Sequence, residues 1–399
     1  MVIKKKYVII KVDKIFAENK MVKLYTYRAQ DGDFFWLKYK SNEETAYHNV
    51  VVDGGRKNNA DDFCEMLAKI RKENEKVDAI FLTHFDQDHI MGMLLGIQKA
   101  KKKNCIPEIE SIYMNTGKGY LQHHERCKEI PETLPEEKVE IPLDTPGYSA
   151  NDAEKLVTLL QTYGLGRCLK SYVAQSDEKI VIGGAELYII SPSEDKLLNL
   201  IQNWPGLKST VITTAYGGIK TEWGFSLDEL MLQAASEDGS ISNGASIAFL
   251  FEFEQTKIAF LGDAHPSVCV TGLLKLGYSK ENPCKVDLVK ISHHGSKHNC
   301  SEKLLHILNS EHYLLSTDGR AGRLPDKLTI AKMVKENKSI IIYCNYGWWK
   351  KPLYCRFFLD EDRRKWIDSK HLQLIELSTK NVANDIKSGF ELYGAGKPW

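Results

Sequence analysis

The residues best suited to chemistry in this chain lie in one short segment that directly follows an apolar run. The run ends at Leu82, and four potential metal ligands follow within six positions: His84, Asp86, Asp88 and His89. Two carboxylates this close repel each other, and one tends to stay protonated unless a cation lies between them. Imidazole with carboxylate suits zinc, iron or manganese, whereas an all-oxygen site suits magnesium or calcium. The segment therefore predicts a transition-metal site, although a polar turn whose aspartates cap a helix would have a similar composition.

Two later segments also end in potential ligands. The apolar run that begins at Lys257 stops at Gly-Asp, where Asp263 is well placed to bridge two metal ions. The run that begins at Val286 ends in paired histidines, His293 and His294. Gly-Asp alone indicates only a turn, and an isolated histidine pair can be structural. Because ligands recur after three separate apolar strands, we expect one or two divalent transition-metal ions, zinc or manganese.

These three motifs, in this order, resemble the metallo-β-lactamase-fold hydrolases, and in particular the branch similar to the hydrolase domain of the competence protein ComEC/Rec2. The matching motifs are His-x-Asp-x-Asp-His at 84–89, Gly-Asp at 262–263 and Lys-x-Ser-His-His-Gly-Ser at 290–296, with support from Val-Val-Asp-Gly-Gly at 51–55. The resemblance spans roughly residues 50–335. It implies an α/β fold, the four-layer αβ/βα sandwich of the metallo-β-lactamase type. The ligands that it implies are His84, Asp86, Asp88, His89, Asp263, His293 and His294.

The chain departs from the wider family in several places. Asp86 stands where most members carry a histidine, which is usual in the ComEC-like branch, and Leu324 stands where a further histidine often follows the last motif. A Gly-Asp-Ser segment is not found in 7–39. Between the first and second motifs the histidines are His123 and His124, in a polar stretch typical of an exposed helix or loop. These departures leave the occupancy of a second metal site open.

The resemblance implies metal-assisted hydrolysis, in which a metal-bound hydroxide attacks a phosphorus or carbonyl centre. Asp88 is the candidate for orienting or deprotonating the water, and His294, if it is not a ligand, is a candidate for stabilising negative charge or protonating the leaving group. Ser296 and Lys297 are candidates for contacting a phosphate, although a polar helix start explains them equally well. The ComEC-like branch favours a phosphodiester, so we expect a nuclease or phosphodiesterase. The alternatives are a hydrolase of a small ester, thioester or lactam, and a degenerate metal-binding scaffold without turnover.

The elements that must position these motifs alternate between strand-like and helical segments, with antiparallel hairpins at the start of each half. The predicted strands are 7–12, 23–27, 34–39, 49–53, 78–83, a strand near Ile112, the hairpin 179–190 that turns at Gly183-Gly184, and 246–254. The predicted helices are 61–75, a helix that ends near Lys101, and 152–163. Two facing sheets with helices on their outer sides would accommodate this order.

The domain organisation follows from the motifs. We expect a hydrolase domain over 1–343 with an insertion around 203–243, and a C-terminal extension over 344–399 packed on the same domain. The insertion predicts either a lid or substrate wall, or a surface loop with a small core of its own. The aromatic and basic segment 345–351 predicts either stacking on unpaired bases or packing on the sandwich.

Composition narrows the setting of such an enzyme. With 399 residues and 43% hydrophobic content the chain can bury a large core. We expect no membrane association because no apolar run approaches a membrane span, and a cytoplasmic location because nine cysteines lack paired spacing. The net charge of +1 gives no whole-chain field for nucleic acid, so a nucleic-acid or nucleotide substrate must be bound locally at the cleft. Protein partners are not indicated.

Overall fold

The computed structural model describes residues 22–127, 149–204, 220–320, 324–337, 339–377 and 390–395. The strands are β1 Val22–Tyr27, β2 Phe35–Tyr39, β3 His48–Val52, β4 Val77–Phe81, β5 Ile109–Tyr113, β6 Leu169–Lys170, β7 Ile180–Ile182, β8 Ala185–Ser191, β9 Ala248–Phe253, β10 Thr256–Phe260, β11 Leu288–Lys290, β12 His312–Leu315, β13 Ile340–Cys344, β14 Leu372–Glu376 and β15 Phe390–Ala395. The helices are α1 Ala60–Lys72, α2 Gln87–Lys102, α3 Gly117–Cys127, α4 Ser149–Thr162, α5 Glu194–Gln202, α6 Leu227–Leu230, α7 Ile241–Gly244, α8 Pro266–Lys275, α9 Glu302–Ile307, α10 Lys327–Glu336 and α11 Asp360–Asp362. The predicted strand 7–12 lies outside the described residues.

The strands form two mixed sheets. The first has the order β15-β1-β2-β3-β4-β5-β6, with β1 to β3 antiparallel and β3 to β6 parallel. The second has the order β14-β13-β12-β11-β10-β9-β8-β7, with β7 to β10 antiparallel and β10 to β14 parallel. Each sheet therefore combines a hairpin half with a parallel half, as the predicted hairpins indicated.

Side chains of the two sheets alternate between a central core and two outer cores. In β4, Ala79 and Phe81 join the core between the sheets, whereas Ile80 packs outward with helices α1, α2 and α4. On the second sheet, Ala259 and Val289 pack outward with helices α8, α9 and α10. Strands buried on both faces read as continuous apolar runs, which is why the motifs follow such runs in the sequence. The predicted four-layer αβ/βα sandwich is confirmed.

Helix α1 shows how local sequence fixes an outer layer. Phe63, Leu67 and Ile70 recur at helical spacing and are buried in the outer core of the first sheet. Acidic residues occupy the first turn of α1 and basic residues occupy its last turn, which complements the helix dipole. The observed range 60–72 agrees with the predicted range 61–75 within three residues. No helix in the described part of the chain is long and apolar enough to cross a membrane.

Residues from the insertion and from the aromatic segment 345–351 pack on the sandwich. From the insertion, Trp223 and Leu227 are buried in the outer core of the second sheet. From the aromatic segment, Trp348 is buried in the same core against Tyr354 and Phe357. The packing alternative is therefore correct for Trp348. Residues 205–219 of the insertion lie outside the described residues.

Candidate metal centre

The first motif forms the turn between β4 and α2. Asp86 occupies the position just before α2, but its side chain does not cap the helix. Its Oδ1 accepts instead a hydrogen bond of 2.8 Å from the hydroxyl of Ser242, which belongs to the insertion. The alternative of a simple capping turn is therefore wrong for Asp86.

Asp263, at the end of β10, is the centre on which the predicted ligands converge. Its Oδ2 lies 3.6–3.9 Å from the Nε2 atoms of four histidines, namely His84, His89, His293 and His294. Asp88 Oδ2 lies 3.4 Å from Nε2 of His294 and 3.8 Å from Nε2 of His89. Asp86 Oδ2 lies 3.9 Å from Nε2 of His84. The structure thus brings all seven predicted ligands together.

The other ring nitrogens of these histidines show which way the lone pairs point. The Nδ1 atom of each ring contacts an oxygen: Thr83 Oγ1 at 3.1 Å for His84, Asp53 Oδ2 at 2.8 Å for His89, Asn299 Oδ1 at 2.9 Å for His293 and the Ser316 carbonyl at 2.9 Å for His294. A carboxylate, a carbonyl and an amide oxygen accept only, and the Thr83 hydroxyl already donates its proton to Asp53, so each ring carries a proton on Nδ1 and directs the Nε2 lone pair towards Asp263. Four lone pairs directed at a carboxylate need a cation between them.

The residues present fit one or two metal ions. The Nε2 atoms of His84, His89 and His294 and the Oδ1 atom of Asp263 are buried without hydrogen-bond partners. Two donors that share a tetrahedral ion at about 2.1 Å lie roughly 3.4 Å apart, close to the separations observed here. The donor atoms of Asp88, His89 and His294 lie within 4.8 Å of one another, as do those of His84, His89 and Asp263. Imidazole with carboxylate is a donor set for transition metals.

The pKa values of the clustered carboxylates and imidazoles indicate the same need for positive charge. Burial and the neighbouring Asp88 raise the pKa of Asp86 to about 7. Burial raises the pKa of Asp88, but the nearby His89 and His294 lower it by a larger amount. The pKa of Asp88 therefore lies far below its usual range. Burial lowers the pKa of His293, but Asp263 and Asp238 outweigh burial and raise it to about 9. Protons on Asp86 and His293 thus offset negative charge that a bound cation would otherwise balance.

The backbone that carries the histidine pair is strained. His293 and His294 both adopt left-handed conformations, with φ of 46° and 55°. The backbone N–H of His293 donates a 3.0 Å hydrogen bond to the Gly262 carbonyl, which ties the pair to the strand end that carries Asp263. Left-handed non-glycine residues persist where surrounding contacts fix them, and they cluster at functional sites.

Three residues that the sequence interpretation did not include contact these ligands. The ammonium of buried Lys290 contacts the carboxylate of buried Asp33, donates 3.0 Å to the Gly262 carbonyl and lies 4.0 Å from Asp263 Oδ1. Asp238, from the insertion, lies 3.7 Å from Nδ1 of His293. The Gly-Asp pair at 32–33 could have indicated Asp33. It is not followed by serine, however, so it does not match the Gly-Asp-Ser segment of the family.

The remaining predicted residues lie around the centre or away from it. The hydroxyl of Ser296 accepts a hydrogen bond from the backbone N–H of His298, and the ammonium of Lys297 donates 3.0 Å to Glu222. His123 stacks on a tyrosine, 3.7 Å between ring centroids, and is not in any metal-capable group of the described residues. Leu324 is buried, and its carbonyl accepts a hydrogen bond from a tyrosine hydroxyl. The phosphate role of Ser296 and Lys297 stays a prediction.

Comparison with known proteins shows that part of the chain is similar to a known family. Residues 45–167 match the family model of the metallo-beta-lactamase superfamily. No curated protein matches the sequence. Similar solved structures include CmlA, a diiron beta-hydroxylase from Streptomyces venezuelae, with 12% identity and a TM-score of 0.36 over 90% of this chain and 53% of that one. This chain thus spans about half the length of that protein.

Two metallo-beta-lactamases are also similar in structure. SMB-1 bound to 2-mercaptoethanesulfonate has 11% identity and a TM-score of 0.28, over 80% of this chain and 94% of that one. MEM-A1, a subclass B3 enzyme from a soil metagenome library, has 10% identity and a TM-score of 0.26, over 70% and 81% of the two chains. The family model covers less than half of the chain, over the segment that carries the first ligand motif, so similarity to this superfamily is shown for residues 45–167.

Proposed function

We propose that this chain is a metal-dependent phosphodiesterase of the ComEC-like branch. The observation that carries this proposal is the convergence of four imidazole Nε2 atoms on one oxygen of Asp263, within 3.9 Å. Asp86 supports the branch, because it replaces a histidine with an anionic ligand beside the centre. We propose a phosphodiester rather than a neutral ester because metal ions held by this set of residues would neutralise the charge of a bound phosphate.

The metal we propose is manganese or zinc, one or two ions of which would be held by the four histidines together with Asp86, Asp88 and Asp263. Four imidazoles and three carboxylates can bind either ion, and the high proportion of carboxylates favours manganese. When bound, two such ions would lower the pKa of water and neutralise charge on the phosphate. His294 acts here as a ligand rather than as an acid, since its Nδ1 proton is held by the Ser316 carbonyl and its Nε2 faces the centre.

Asp88 has the role of orienting the attacking water. Its side chain is 21% exposed, the most open of the carboxylates that approach the histidines, so it lies at the mouth of the centre. With a pKa far below neutrality, it accepts a hydrogen bond but does not retain a proton at pH 7. In the reaction, the water oxygen bonds to phosphorus and the bond from phosphorus to the leaving oxygen breaks. The attacking water releases a proton to solvent, and the leaving oxygen takes a proton from solvent.

The test begins with metal content and substrate range. Protein loaded with manganese or zinc is incubated with bis(p-nitrophenyl) phosphate, single-stranded DNA, RNA and cyclic dinucleotides, and in parallel with an aryl acetate, a thioester and a lactam. We expect at least one metal equivalent and hydrolysis of phosphodiesters. Less than half an equivalent of metal, or turnover of only the carbonyl substrates, would refute the proposal.

Asp263→Asn provides the matched variant. It keeps the shape of the side chain but removes the bridging charge, so we expect loss of metal and a fall in kcat/KM of roughly 100-fold or more. Asp228→Asn, at an exposed position of helix α6, is the control and should retain both metal and activity. If Asp263→Asn cleaves as fast as the parent, the site is wrong.

A further inference from the structure

One edge of the metal centre carries two arginines that are each fixed by an aspartate. Arg56 pairs with Asp31 in a bidentate manner, through Nε and through Nη2, the latter at 2.6 Å. Arg320 donates 2.6 Å from Nε to Asp318. Both aspartates are buried, whereas the side chain of Arg56 is 35% exposed and that of Arg320 is 63% exposed. The guanidinium groups are therefore held in place and open to solvent.

The turn at 29–33 connects these arginines to the centre. Asp31 lies in this turn, and the backbone N–H of Asp33 donates 3.3 Å to the carbonyl of Asp88. The hydroxyl of Ser316 donates 2.6 Å to Gly32 in the same turn, and the carbonyl of Ser316 accepts from His294. Arg56 is also close enough to help lower the pKa of Asp88. Arg56 therefore lies beside Asp88 at the centre, and Arg320 is close enough to Asp31 for the two arginines to share this edge.

The aspartates do not exhaust the donors of the arginines. A guanidinium has five N–H groups, and the bidentate pair with Asp31 uses two of them on Arg56. An arginine whose plane is already fixed loses less conformational entropy when it binds a phosphate in its fork. An arginine fixed in this way is therefore suited to bind an anion beside the reacting group.

An aromatic side chain lies on the same turn. The hydroxyl of Tyr346 accepts a 3.0 Å hydrogen bond from the backbone N–H of Gln30, and the guanidinium of Arg28 lies 5.3 Å from the ring centroid. Unlike Trp348, which is buried, Tyr346 is partly exposed. The Tyr346 ring packs against Arg28 and lies close to Arg320, and an aromatic ring combined with a cationic side chain can bind a base and its phosphate in single-stranded nucleic acids.

We propose that Arg56, Arg320 and Tyr346 form a subsite for the phosphate and base next to the scissile phosphodiester. This inference rests on the proposed function and narrows its substrate to an unpaired oligonucleotide. Single strands are favoured because the ring needs an unstacked base. An isolated phosphodiester would occupy the metal centre without reaching the subsite.

The experiment compares two substrates of one enzyme. Metal-loaded Arg56→Gln, Arg320→Gln and Tyr346→Leu are assayed with a single-stranded 12-mer and with bis(p-nitrophenyl) phosphate. We expect KM for the 12-mer to rise about tenfold in each variant, as for a lost charged hydrogen bond or a lost stacking contact. KM for the aryl diester should stay within about twofold, because only the 12-mer reaches the subsite. Each arginine variant should also reduce the slope of log affinity against log salt by about 0.7.

Two further variants guard the interpretation. Arg56→Lys keeps a cation on buried Asp31 but loses the fork, so it should also raise KM for the 12-mer if Arg56→Gln proves unstable. Arg167→Gln removes an exposed arginine just before β6 and should leave both substrates unchanged. Equal losses on both substrates, or no change on either, would overturn the subsite.

Binding separates this inference from the function on which it rests. Fluorescence anisotropy with a labelled 12-mer and metal-stripped protein reports the subsite without turnover. If the parent binds the 12-mer more tightly than Arg56→Gln but cleaves no phosphodiester, the proposed function fails and the subsite stands. If the parent cleaves the aryl diester while the variants bind the 12-mer as the parent does, the subsite alone fails.

Discussion

Replacement of Lys290 by methionine tests the ion pair behind the metal centre. Lys290 ends β11 in the second sheet, and Asp33 precedes β2 in the first, so the pair joins the two sheets. Each side chain is 1% exposed. Methionine has a similar volume but no charge, so Asp33 would stay buried without a counterion, near an already anionic Asp263.

The expected cost follows from these contacts. Removal of one partner of a buried ion pair costs about 3–5 kcal/mol, and the lost hydrogen bond to the Gly262 carbonyl adds about 1 kcal/mol. Unfolding entropy of about 2.1 cal/mol/K per residue gives roughly 0.8 kcal/mol/K for a chain of 399 residues. A loss of about 4–6 kcal/mol should therefore lower Tm by about 5–7 °C.

The assay is thermal unfolding by circular dichroism, with EDTA and with manganese. We expect the loss in Lys290→Met to be larger in EDTA, because bound metal would supply positive charge to Asp263. Lys179→Met is the control: Lys179 pairs with Glu186 of strand β8, both side chains are more than one third exposed, and exposed pairs contribute little to stability. Asp33→Asn in the Lys290→Met background should recover part of the loss. A Tm for Lys290→Met within 1 °C of the parent, or additive single losses, would refute this reasoning.

Two further predictions concern His293 and the aspartate beside it. The pKa of His293 in the metal-free protein is raised from 6.5 to about 9, so its stabilising effect is complete below pH 6.5 and is lost as the pH rises through 9. Tm in EDTA should therefore fall over this range, and an equally steep fall in His293→Gln would contradict the assignment. Asp238 accepts hydrogen bonds from Asn243 at 2.7 Å and Asn299 at 3.0 Å and lies beside His293. Asp238→Asn should weaken metal binding by about 10- to 100-fold, as measured by competition with a chelating dye, and unchanged affinity would rule out a positioning role.

The ligands could be predicted from the sequence because each is local to a strand end. His84, Asp86, Asp88 and His89 follow β4 within one turn, and the carboxyl ends of parallel strands meet at one edge of a sheet. The fold followed from the alternation of strands and helices together with the family resemblance. Residue type and spacing over short stretches of sequence indicate both the candidate ligands and the order of strands and helices.

The supporting residues could not be predicted, because their partners are distant in sequence. Lys290 and Asp33 look like an ordinary strand lysine and a turn aspartate until the two sheets are packed together. Asp238 lies in a segment whose polarity indicates only an insertion, yet its carboxylate lies beside His293. Spacing along the chain does not reveal such contacts, since they depend on how the two sheets face each other.

The location of the ligands also links metal binding to the docking of the two sheets. His84 and His89 come from the first sheet, whereas Asp263 and His294 come from the second. In the unfolded chain these donors are far apart, so the affinity for metal adds to the stability of the folded state. The Lys290–Asp33 ion pair joins the same two sheets next to these donors. The ion pair and the metal ions therefore act on the same interface, and the loss of either increases the dependence of the fold on the other.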